Sequence, residues 1–307
     1  MTSTEDMTTI RSLLPSFRST IASLTTSPTL QIIKSYPPRL ISTPLSSTST
    51  SQKQRTVCIL DSSFNPPTKA HMHLALQALR KYTPTTTTNN NNQEDKDEEG
   101  EDTPSLLLLL ATTNADKPSS SPASYDHRLA MMCLLAEEIQ NTIYSSNINK
   151  ILPQIDIAIT PHPRFIDKST DLSSHPFFPS ESTRQIWILG YDTLIRLLNP
   201  KYYPQTHTPK DLHKTLLSSK NRILVFTRPD THLGTTQSSQ YEYLNSLDPS
   251  IAEKVDMVVP EHSDQVEGVS STNVRNGVKS GIDDEEGWKG GVCRGVAEWI
   301  GREGLYL

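Results

Sequence analysis

Apolar positions in this chain fall into short runs separated by long polar stretches. Six runs are nearly continuous: Thr56–Leu60, Ser105–Thr112, Ile155–Thr160, Gln185–Leu189, Arg222–Thr227 and Lys254–Val259. Runs of four to eight apolar residues bounded by turn formers read as strands covered on both faces. Between them, Ala70–Lys81, Asp126–Gln140, Asp192–Leu198 and Gln240–Leu247 carry helical spacing, clearest at Leu129, Met132, Cys133 and Ala136. Strands alternating with helices predict an α/β fold: a parallel sheet with right-handed crossovers and helices on its faces. Ligands of such sheets bind beyond the carboxyl ends of the strands, where the strand order reverses. A short amphipathic helix is also expected over Ile10–Leu24, interrupted at Pro15.

The polar stretches dilute a smaller folded core, since hydrophobic residues make up only 34% of the 307. Residues 1–54 read as a Ser/Thr-rich, partly disordered extension, with a low-complexity tether at Thr43–Ser51. The main domain is expected over 55–307. Residues 83–104 within it, with repeated threonine and asparagine and an acidic run, read as a disordered insertion. The run Glu94–Asp102 contributes −6 of the formal net charge of −5, so the remainder is near neutral. The acidic balance is therefore local and says nothing about the partners of the folded part. The longest aliphatic run, Leu106–Ala111, is too short to span a membrane. No secretory signal is visible. A cytoplasmic or nuclear setting is expected, with a mitochondrial presequence the lesser reading of the basic N-terminus. Cys58, Cys133 and Cys293 are isolated, without C-x-x-C spacing, and read as small buried hydrophobes in a reducing compartment.

The chemistry concentrates where the first strand ends. Asp61-Ser-Ser-Phe-Asn-Pro-Pro-Thr-Lys-Ala-His71 follows Thr56–Leu60 and opens into a helix. A strand–loop–helix of this kind offers backbone N–H groups and a helix N-terminus to a phosphate. Ser63, Asn65, Thr68 and His71 add side-chain donors. No Gly-Lys-Ser/Thr ending makes this a P-loop, and no G-x-G-x-x-G is present. Downstream stands Ser270-Ser-Thr-Asn-Val-Arg275, where Ser271 and Thr272 are placed to cap a helix starting near Asn273 and Arg275 to project from its first turn.

Together these segments resemble the S-F-N-P-x-[HT]-x-x-H and S-S-T-x-[VI]-R signatures of the nucleotidyltransferase superfamily. They are most similar to the nicotinamide-nucleotide adenylyltransferases, in a divergent fungal branch. The resemblance implies a Rossmann-like fold and transfer of AMP from ATP to nicotinamide mononucleotide, giving NAD and pyrophosphate. It implies His71 and Arg275 as catalytic residues. Phosphate and ATP contacts are implied for Ser63, Phe64, Asn65, Thr68, His71, Ser271, Thr272 and Arg275. Mg²⁺ is expected to bridge the ATP phosphates, so no carboxylate cluster for metal is sought. The implied partners are small-molecule nucleotides, with no nucleic acid and no membrane.

Weaker matches extend the site. Gly190-Tyr-Asp192 resembles the family's G-x-D-x-L, whose glycine and aspartate approach the adenosine ribose; a plain helix cap by Asp192 is the alternative. Lys117, after the second strand, is a candidate for the mononucleotide phosphate or a solvated loop charge. Arg128 in Tyr125-Asp-His-Arg128 supports the site or pairs on the surface. Phe165 or Trp187 could face the pyridine ring, with Trp187 the better core residue; His73 reads as surface or core polar. Asp61 and Ser62 stand where relatives usually have glycine, and their side chains take space near the ligand. That departure keeps a degenerate nucleotide-binding regulator or scaffold open beside the enzyme, as well as another adenylyl- or cytidylyltransferase. A tRNA synthetase lacks the K-M-S-K-S string it would need.

Overall fold

The computed structural model describes residues 4–39, 54–84, 103–113, 123–146, 152–202, 212, 216–218, 220–227, 236–261, 268–281 and 287–307. The acidic run and the Thr43–Ser51 segment lie outside these residues. A seven-stranded sheet organises the chain: β1 (Gln31–Tyr36), β2 (Arg55–Asp61), β3 (Ser105–Ala111), β4 (Ile155–Thr160), β5 (Thr183–Gly190), β6 (Arg222–Phe226) and β7 (Val255–Val258). Their order is β1-β4-β3-β2-β5-β6-β7, and every pairing is parallel except β1 with β4. From β2 the chain steps outward through β3 and β4, then returns to the other side of β2 as β5. The reversal therefore falls between β2 and β5, and their carboxyl ends, Asp61 and Gly190, flank the crevice where ligands of such sheets bind.

The helices among the described residues are α1 (Thr4–Ser12), α2 (Leu14–Ser23), α3 (Lys69–Tyr82), α4 (Tyr125–Ser145), α5 (Phe165–Ser174), α6 (Tyr191–Leu198), α7 (Gln237–Ser246), α8 (Pro249–Ala252), α9 (Ser271–Ser280) and α10 (Arg294–Glu303). Alternation along β2 sorts the two faces. Cys58 and Leu60 face a core built with α2, α3, α4, α9 and α10, whereas Val57 and Ile59 face a second core under α5 and α6. The five leucines Leu106–Leu110 are fully buried, as a strand covered on both faces requires.

Six apolar runs become strands close to their expected bounds, and the four expected helices form with ends shifted by a few residues. The expected interruption at Pro15 is a break into two helices, α1 and α2, with Pro15 in the first turn of the second, where its missing N–H is tolerated. Residues 4–36, N-terminal to the expected domain start, pack closely on the main body. Met7, Ile10, Leu14 and Phe17 join the first core, and β1 forms a sheet edge. Asp156, fully buried, holds this segment through Ser35 Oγ at 2.6 Å and Arg39 Nε at 2.9 Å. All three cysteines are free and buried, and burial raises their thiols to about 12, 11 and 12 for Cys58, Cys133 and Cys293. No described helix is long and apolar enough to cross a membrane.

Candidate active site

The loop after β2 is fixed from behind. Phe64, fully buried, takes a left-handed backbone with φ of +43°, a conformation that a bulky side chain holds only when its surroundings impose it. Three carbonyls of the loop are tied down. Ser63 accepts from Arg128 Nη1 at 3.4 Å, Asn65 from Arg275 Nη1 at 2.6 Å, and Pro66 from Ser271 Oγ at 2.7 Å. The Asn65 side chain is anchored as well: its Oδ1 accepts from the Ala123 N–H at 3.1 Å and from the Tyr306 hydroxyl at 2.8 Å. With carbonyls engaged behind the loop, the N–H groups of Ser63, Phe64 and Asn65 have no partner among the described residues. Such free donors beside a helix N-terminus favour an anion.

Thr68 occupies the N-cap of α3, and His71 the third helical position. The two close a reciprocal cap: Thr68 N–H donates to His71 Nδ1 at 3.0 Å, and Thr68 Oγ1 lies 2.8 Å from the same nitrogen. An accepting Nδ1 puts the ring proton on Nε2. Nε2 in turn lies 2.9 Å from Ser62 Oγ. Burial pulls the imidazole down to about 4, so the ring is neutral at physiological pH, with one N–H to donate. The capping role and the donor role thus use different nitrogens of one ring.

The second motif differs in detail from its expectation. The helix starts at Ser271, two residues before Asn273, and its cap is Ser270, whose Oγ accepts from the Asn273 N–H at 3.1 Å. Ser271 is thereby freed to hold the Pro66 carbonyl, and Thr272 accepts from Arg275 Nη2 at 3.2 Å. Arg275 and Arg128 act on the same short loop, and no described carboxylate pairs with either. Burial and the facing charge of Arg275 lower the Arg128 guanidinium, as two cations closing on one site should. The region therefore carries excess positive charge and unsatisfied donors, with an anion as the natural complement.

Asp192 is not a helix cap. α6 begins at Tyr191 with Gly190 at the N-cap, and Asp192 pairs with Arg196 at 2.7 Å on an exposed face. A Cβ at Gly190 would lie 2.9 Å from Asp192 Oδ1, so a side chain there would displace the carboxylate from the strand end. Lys117 lies outside the described residues. Trp187 is wholly buried, its indole N–H donating to Gln185 Oε1 at 3.1 Å, so its ring belongs to the core. Phe165, half-buried, meets it edge-on with centroids 5.4 Å apart. His73 Nε2 is buried without a described partner.

Sequence reasoning missed two parts of this assembly. Tyr306 is the penultimate residue, outside both motifs, and nothing in the local pattern marks it. Asp61 is read as crowding the loop, but its carboxylate turns onto the opposite face of β2 and pairs with Lys168 of α5. The side chains are 9% and 4% exposed. A buried charge of that kind requires its partner, and the pairing leaves the space above the loop clear of the Asp61 side chain.

No family model matches the chain. A protein of Schizosaccharomyces pombe, named "Putative nicotinamide mononucleotide adenylyltransferase", is 31% identical over 237 residues, covering 75% of this chain and 78% of that protein. Among solved structures, Plasmodium falciparum nicotinic acid mononucleotide adenylyltransferase complexed with APC aligns over 82% of this chain and 98% of its own, at 14% identity and a TM-score of 0.48. The same enzyme complexed with NaAD aligns at 17% identity over the same shares, with a TM-score of 0.44. The curated relative matches three quarters of the chain, and this chain belongs to the nicotinamide-nucleotide adenylyltransferases, a family of nucleotidyltransferases.

Proposed function

We propose that this enzyme transfers AMP from MgATP to nicotinamide mononucleotide. A phosphate oxygen of the mononucleotide forms a bond to the α-phosphorus of ATP. The bond from that phosphorus to the bridging oxygen breaks, and pyrophosphate leaves with the electron pair. The attacking oxygen is already anionic, so a strong base is not needed, and the protein's task is positioning and charge stabilisation. The observation that carries the reading is the cluster of Arg275, the capped and neutral His71 and the free N–H groups of 63–65 at one end of β2.

In this reading His71 and Arg275 stabilise the charge that develops on the phosphates. Ser63, Phe64, Asn65 and Thr68 form the phosphate loop, Ser271 and Thr272 set the α9 end of it, Gly190 and Asp192 meet the ribose, and Lys117 meets the mononucleotide phosphate. Mg²⁺ enters as part of the nucleotide substrate. Among the described residues no group of three His, Cys, Asp or Glu could hold a metal ion, so the phosphates themselves would supply most of its ligands. The amide mononucleotide is the proposed substrate, as the Schizosaccharomyces pombe relative carries that substrate in its name.

Steady-state rates with nicotinamide mononucleotide, nicotinic acid mononucleotide, phosphopantetheine and a CTP/choline-phosphate pair test this assignment. The highest kcat/KM is expected with the amide mononucleotide. A preference for phosphopantetheine or CTP would overturn it, and ATP binding without any product would favour a regulatory role.

A further inference from the structure

Ser62 stands where the family usually has glycine, and its half-buried side chain meets the His71 ring just past the carboxyl end of β2. Its backbone N–H donates to Leu109 O at 3.2 Å, which extends the sheet register by one residue and fixes its position. Its Oγ lies 2.9 Å from His71 Nε2, and no other described group bonds to that oxygen. Because Nδ1 of the ring accepts from the Thr68 N–H, Nε2 is the protonated nitrogen, and the serine oxygen is the acceptor. Among the described residues the serine's own proton therefore has no partner and is free to be donated to a ligand, one residue before the unpaired N–H of Ser63.

We propose that Ser62 is a catalytic residue of this enzyme: its hydroxyl donates directly to a phosphate oxygen of the bound triphosphate, and His71 acts through it as a positioning donor. The inference rests on the adenylyltransferase reading above. A hydroxyl that accepts from an imidazole N–H becomes a stronger donor, because hydrogen bonds in a chain polarise one another. The chain His71 Nε2–H to Ser62 Oγ–H to phosphate oxygen moves no proton. It places a polarised donor where charge develops as pyrophosphate leaves, while burial keeps the ring neutral. With glycine at this position the ring would have to reach the phosphate itself, so the serine converts a direct contact into a two-step one.

The test combines turnover and spectroscopy on the full chain. Ser62→Ala, Ser62→Gly and Ser62→Thr are assayed with MgATP and nicotinamide mononucleotide. In parallel, the His71 ring nitrogens are followed by ¹H–¹⁵N spectroscopy with and without Mg²⁺ and α,β-methylene-ATP. Ser62→Ala should lose roughly 10²-fold in kcat, the typical effect of one oxyanion donor, with little change in KM for ATP, and Ser62→Gly less, because without a side chain there the ring can approach the phosphate. Ser62→Thr, which keeps the hydroxyl, should retain most of the rate. The wild-type Nε2 resonance should respond to the nucleotide less than that of Ser62→Ala. Variants without the hydroxyl that match or exceed the wild-type rate would overturn the proposal. So would a wild-type Nε2 that shifts to the same nucleotide-bound position as in Ser62→Ala, which would mean that the phosphate takes the ring proton directly. A wild type that binds nucleotide without turnover would remove the adenylyltransferase reading, and the spectra alone would then decide the role of Ser62.

Discussion

The hydroxyl of Tyr306 donates to Asn65 Oδ1 at 2.8 Å, so the turn that follows α10 holds the loop that follows β2. The same oxygen also accepts from the Ala123 N–H, and both groups are buried. Burial also pushes the phenol well above its ordinary range, so it stays a donor at any pH the enzyme meets. Tyr306→Phe removes one of two donors to a buried amide oxygen. The variant should lose about 1 kcal/mol of stability and several-fold in kcat, since Asn65 and the carbonyl that Arg275 holds would lose their fixed setting. Thermal unfolding and steady-state rates on the same preparation check both.

Arg275 spans the loop and its own helix, through Asn65 O and Thr272 Oγ1. An ammonium cannot reproduce a two-point guanidinium contact. Arg275→Lys should therefore recover little of the roughly 10²-fold loss in kcat/KM expected for Arg275→Ala. Full recovery by lysine would reduce the role of Arg275 to net charge.

The pH profile follows from His71. Its folded value, about 4, lies below the ordinary 6.5 because burial disfavours the cation. A depressed folded value means that the unfolded chain binds the proton more readily. The stabilisation from the neutral ring is complete above about 6.5, weakens as the pH falls from there, and is lost below about 4. Turnover should accordingly show no His71-linked fall between pH 8 and about 5. An NMR titration of the ring gives the value directly, and a midpoint near 6.5 would contradict the buried, neutral donor.

Asp61 and Lys168 form a buried pair, and each is costly to leave alone. Lys168→Met strands the carboxylate and should destabilise the protein by about 3–5 kcal/mol. The double variant Asp61→Asn, Lys168→Met should recover much of this, because no buried charge remains uncompensated. Denaturant unfolding of the two singles and the double measures the coupling.

The central architecture is legible in the sequence because fully buried parallel strands announce themselves as continuous apolar runs, as Leu106–Leu110 does. β1 is not, because Gln31–Tyr36 mixes Lys34 and Ser35 with apolar residues and its register shifts at Ile32/Lys34, as suits an edge strand. α5 hides in FIDKSTDLSS, where serine and threonine mask the buried Ile166 and Leu172. The motif residues His71, Asn65 and Arg275 do converge, since each follows a strand end or starts a helix. Tyr306 reaches the loop after β2, and Lys168 reaches Asp61, only through tertiary packing, which leaves no trace in local spacing. Three consecutive Ser/Thr residues all suit a cap, so local sequence does not distinguish the true cap Ser270 from Ser271 and Thr272.

The most direct test of the account is pyrophosphate release from MgATP and nicotinamide mononucleotide, with product dinucleotide measured in the same reaction, by the wild type and His71→Ala. Stoichiometric pyrophosphate and NAD from the wild type, and a fall of roughly 10²–10³-fold in kcat for the variant, are expected when the neutral ring supports donation to the phosphates. Equal rates for the two proteins, or nucleotide binding with no pyrophosphate from either, would contradict it.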